Sequence, residues 1–110
     1  MKPLDSEVAI DNVFSVVKQI RPEWNIPNIE DIGYFDSINT MGYITHGVKR
    51  ICLSVDSNGE MSEKNPIFVE TILHELTHGN VAMNHGQKFW DSLTDLKQDY
   101  AKATGVEFYR

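Results

Sequence analysis

Residues 65–90 read NPIFVETILHELTHGNVAMNHGQKFW, and the reading of this stretch decides the fold. Asn65 suits a helix N-cap and Pro66 the first helical position, where a missing N–H costs nothing. Phe68, Ile72 and Leu76 then recur at helical spacing, with Val69 and Leu73 beside them, so one side of the helix is apolar. Gly79 is the expected C-cap. A short loop, residues 80–83, leads to a second helix expected from about His85 to Thr104. Asn84 and Gln87 there have capping-box spacing, and Phe89, Leu93, Leu96 and Tyr100 form the buried stripe. Gly105 is the expected stop.

Working outward, residues 5–20 form an N-terminal helix. Asp5 or Ser6 can cap it, Ile10, Val13, Val17 and Ile20 line one face, and Pro22 ends it. Between this helix and Asn65 lie three short strand-like runs: 29–35, 41–45 and 49–55. In the third, Ile51, Leu53 and Val55 alternate with Arg50, Cys52 and Ser54. His46-Gly47 sits where a tight hairpin turn fits. The order α-β-β-β-α-α predicts an α+β fold with a small antiparallel sheet of about three strands.

The chain has 110 residues, 41% of them hydrophobic and 24% charged. These values predict one globular domain, 1–110, long enough for a modest core without disulfides. No apolar run is long enough to span a bilayer, and the first residues lack the layout of a signal peptide, so a cytoplasmic setting is expected. The single cysteine, Cys52, forms no internal disulfide and excludes a zinc ribbon of four cysteines. A buried structural thiol is expected there. The net charge of −6 argues against general binding to phosphate backbones, so a nucleic-acid partner lacks support from charge.

Three of the four histidines fall within residues 74–85. His74 and His78, four apart on a helix, share a face one turn apart. Two imidazoles so placed can bind one zinc ion. Glu75 is turned about 100° from His74 and can reach the same cleft as a general base without being a ligand. A catalytic zinc site needs a third protein ligand and an open position for water. His85 lies across a loop that can reverse the chain. His46 is the other candidate and is distant in sequence, so His85 is preferred. A purely structural role for three clustered histidines demands hydrogen-bond partners for every ring. Tyr43 and His46 are candidate donors to a developing oxyanion, and strand 51–55 is a candidate edge for an extended substrate.

His74, Glu75 and His78, followed by His85, Gly86 and Phe89 at the start of the next helix, resemble the SprT-like metallopeptidases, whose eukaryotic relatives include Spartan. The resemblance runs from about Met41 to Trp90 and is specific in its second half. It implies a minimal zincin-like fold and a zinc-dependent endopeptidase acting on a protein or peptide substrate. It also implies Zn2+ held by His74, His78 and His85, with Glu75 as general base. Many members of that family carry a zinc ribbon or other DNA-binding region, and the single Cys52 is too few for a ribbon of four cysteines. Two rival readings remain. YbeY-type endoribonucleases also use three histidines, but lack a glutamate after the first and place the third six residues after the second, against seven here. The other rival is a zinc-bound interaction module without turnover.

Overall fold

The computed structural model describes residues 3–45, 49–54 and 60–108. Three helices and three strands follow in the order α1 (Pro3–Ile20), a 3-10 turn (Ile29–Asp31), β1 (Gly33–Phe35), β2 (Gly42–Ile44), β3 (Ile51–Ser54), α2 (Pro66–Asn80) and α3 (Gln87–Thr104). The fold is α+β, as the pattern of periodicities predicts. The proposed His46-Gly47 turn and Val55 lie outside the described residues.

The sheet differs from expectation in one respect. β3 pairs antiparallel with β2 but parallel with β1, so the sheet is mixed, in the order β1-β3-β2. β1 and β2, which flank β3, thus run in opposite directions, so only β2 can meet β3 antiparallel. β3 is therefore the central strand, and all four of its residues are buried. Ile51 and Leu53 face the helices. Cys52 and Ser54 face the other way, beneath Phe35 and Tyr43, whose rings sit 5.3 Å apart across β3. The alternation in this run thus separates two covered faces, not core from solvent.

The helices pack on the other face. α2 contacts β2, α3 and α1, and so occupies the middle of the molecule. Its Phe68, Val69, Ile72, Leu73 and Leu76 meet Ile10, Val13, Phe14 and Val17 of α1 and Phe89, Leu93, Leu96 and Tyr100 of α3 in one core. α2 starts where the sequence puts its start: the Asn65 side chain accepts a hydrogen bond from the Ile67 amide at 3.1 Å, and Pro66 follows. α1 begins at Pro3, two residues ahead of the expected caps.

Two helix ends depart from the sequence reading. Gly79 is not a cap, since α2 continues to Asn80. The Asn80 side chain stops it instead, donating to the carbonyls of Leu76 and Asn25 while accepting from the Asn25 amide. α3 starts at Gln87, not His85, with extended Gly86 as its N-cap. Asn84 accepts from the Gly86 amide in a tight turn, and Gln87 bonds Asp91 one helical turn on, so neither closes a capping box. The far end of α3 follows the sequence: Gly105 adopts a left-handed φ of 82°, and its amide bonds Ala101 O at 2.8 Å.

Candidate metal centre

α2 carries His74 and His78 on one face, and the turn 81–86 returns His85 to the same point. The three Nε2 atoms form a nearly equilateral triangle. His74 to His78 is 3.1 Å, His78 to His85 is 3.0 Å and His85 to His74 is 3.2 Å. Because α3 starts after Gly86, His85 lies in the turn and not on a helix, where its ring can point inward.

Hydrogen bonds alone cannot satisfy this triangle. An imidazole nitrogen carries either one proton or one lone pair in its ring plane. Among three mutually contacting nitrogens at least two are of the same kind, so at least one contact opposes like with like. A cation that accepts three lone pairs removes the conflict. Bonds of about 2.0–2.1 Å in a tetrahedral arrangement place donor atoms about 3.3–3.4 Å apart, close to the separations here. The donor set therefore fits zinc.

The protonation states agree. His78 Nδ1 lies 3.0 Å from the Ala82 carbonyl oxygen. A carbonyl only accepts, so Nδ1 carries the proton and Nε2 is left with its lone pair. The His74 pKa is lowered to about 4, first by burial and then by the neighbouring His78, His85 and Lys97. His74 is thus neutral and able to ligate at pH 7.

Aromatic rings hold the imidazoles in place. Buried Phe89 stacks on His78, with centroids 4.3 Å apart and 25° between planes, and presents edges to His74 and His85. Trp90, 46% exposed, stacks on His85 at 5.6 Å and 24°. A helix that begins at Gln87 turns this ring toward the site.

Glu75 is 6% exposed and lines the same cleft as His74 and His85. Burial raises its pKa from 4.5 to about 7. The cleft has a volume of about 500 Å³. One wall is Met41 and Gly42, at the start of edge strand β2; the other is Ile67, Glu70 and Thr71 of α2. Glu70 is paired with Lys97 of α3 at 3.0 Å. Sequence reasoning missed this pair. Glu70 precedes His74 by one helical turn and was locally visible, but its partner is brought in by the fold.

Two expectations are corrected. Strand 51–54 is central and offers no edge to a substrate; β2 is the strand that borders the cleft. Tyr43 lies on the sheet face opposite α2, packed on Phe35, so it is no oxyanion donor. His46 lies outside the described residues. Among the described residues, His74, His78 and His85 are the one cluster of three or more ligand side chains close enough to share an ion. No helix among them is long and apolar enough to cross a membrane.

No protein-family model, curated protein or solved structure matches the chain. Its reading rests on the site.

Proposed function

We propose that this protein is a zinc-dependent endopeptidase of the SprT-like kind, with His74, His78 and His85 as ligands and Glu75 as general base. The observation that carries the reading is the Nε2 triangle with a buried carboxylate in the same cleft. His74, His78 and His85 would hold the zinc, which when bound would supply Lewis acidity: a lowered pKa for a bound water and stabilisation of negative charge on a carbonyl oxygen.

The protein's own groups supply the rest. The Glu75 carboxylate takes a proton from the attacking water and returns it to the leaving amine. A pKa of about 7 suits both transfers near neutral pH. The Ala82 carbonyl keeps His78 in the ligating tautomer. Phe89 excludes water from behind the three rings.

A peptide substrate is favoured by the edge strand. Residues 41, 43 and 45 hydrogen-bond with β3, so Gly42 and Ile44 direct their N–H and C=O outward, and Gly42 lines the cleft. An extended chain can add there as a further strand. The buried, free Cys52 fits a cytoplasmic, reducing setting.

The test is turnover of a denatured protein by the wild type and by Glu75→Gln with equal metal content. A loss of at least about a hundredfold in the variant is expected for removal of a general base. Equal rates would show the base to be misassigned. RNA cleavage that survives Glu75→Gln would favour the ribonuclease reading.

A further inference from the structure

We infer that the cleft selects a bulky, uncharged apolar side chain within about three residues of the scissile bond, seated between Met41 and Ile67. The inference rests on the peptidase reading and names the substrate class of that same site.

Met41 and Ile67 are large apolar side chains that remain 37% and 43% exposed, and both line the cleft that holds His74, Glu75 and His85. Covering such side chains with an apolar partner is favourable, so two left exposed at the mouth of the cleft form an apolar seat. The polar groups on the α2 wall are already engaged. The Thr71 hydroxyl donates to the Ile67 carbonyl at 3.0 Å, which leaves its methyl toward the Gly42 backbone. The Glu70 carboxylate is matched by Lys97. A cationic substrate side chain would have to compete with Lys97 for Glu70. An acidic one would meet Glu70 and Glu75 with no unpaired cation beside them among the lining residues.

The distance follows from the helix. Ile67 precedes His74 by seven residues, which is about 10 Å along the axis at 1.5 Å per residue. An extended chain advances about 3.3 Å per residue, so the seat lies up to three residues from the reacting carbonyl.

The test is a binding scan. The probe is a nine-residue Ala/Ser peptide carrying a single Leu, Lys or Asp at each position in turn. Its affinity for the full chain bearing Glu75→Gln is read by fluorescence anisotropy in the presence of zinc. At one position, within three residues of the bond that the wild type cuts, Leu is expected to bind at least about tenfold tighter than Lys or Asp. Ile67→Asp, a change at an exposed first-turn position, is expected to erase that preference, and Met41→Asp to weaken it. Equal binding of Leu, Lys and Asp at every position, or a preference unchanged by both substitutions, overturns the inference. Wild-type cleavage without side-chain preference overturns it too, while leaving the peptidase reading intact. A Leu preference with no cleavage by the wild type does the reverse: the seat stands and the peptidase reading fails.

Discussion

His78 and Ala82 are joined by a hydrogen bond that crosses the end of α2, Nδ1 to carbonyl oxygen at 3.0 Å. It links His78 of α2 to the turn that delivers His85. It also fixes which nitrogen of His78 carries the proton. In metal-free protein at pH 7.5, nitrogen-15 shifts of His78 should therefore report the Nδ1–H tautomer. A dominant Nε2–H tautomer would mean that the bond to Ala82 is not made.

His85 is the exposed member of the triad and lies outside both helices. His85→Ala should lower zinc affinity by at least about a hundredfold, because two ligands remain where three are needed. The metal-free fold should change little, within about 0.5 kcal/mol, as expected for an exposed position. Competition with a chelator dye and denaturant unfolding measure the two effects.

Glu75 gives the metal-free protein a pH dependence of known sign. Its folded pKa of about 7 lies above the unfolded value of 4.5. The fold therefore favours the protonated form. That stability is fully present below pH 4.5 and is lost as pH rises through about 7. Glu75→Gln should remove this loss, making the metal-free variant more stable than wild type at pH 8.5 by on the order of 1–2 kcal/mol, a discounted share of the full shift. His74 acts on the acid side. Its folded pKa of about 4 is below the unfolded 6.5, so its contribution is present above pH 6.5 and falls away toward pH 4. Denaturant midpoints of both proteins in chelator, from pH 5 to pH 8.5, give the comparison.

Gly42 sets the spacing between the edge strand β2 and α2. A Cβ there would stand 3.0 Å from the Cys52 carbonyl oxygen and 3.2 Å from the Thr71 methyl. Backbone does not yield cheaply, so Gly42→Val should cost about 1–3 kcal/mol. It should also push β2 away from α2 and widen the cleft. Urea unfolding reads the cost; an unchanged midpoint would mean that β2 sits farther from α2.

Much of the helical framework was legible because it is written locally. Asn65-Pro66, the stripe from Phe68 to Leu76, and Gly105 each act within a turn of their own position. The histidine spacing was legible for the same reason. The parallel pairing of β1 with β3 was not, because register between distant strands leaves no mark in either run. The end of α2 was misread at Gly79 because the real stop is a side-chain clasp between Asn80 and Asn25, 55 residues apart. The start of α3 was misread at His85 because the Asn84 turn competes locally with a cap. That shift of two residues places His85 in the triad and Trp90 against it.

Zinc loading with structural readout tests the central claim most directly. Chain purified without added metal should hold, or take up, one zinc per molecule. X-ray absorption should then show three nitrogen donors and one oxygen donor at about 2.0–2.1 Å. Wild-type chain that stays metal-free after exposure to zinc, or zinc bound without the three imidazoles, would contradict the account.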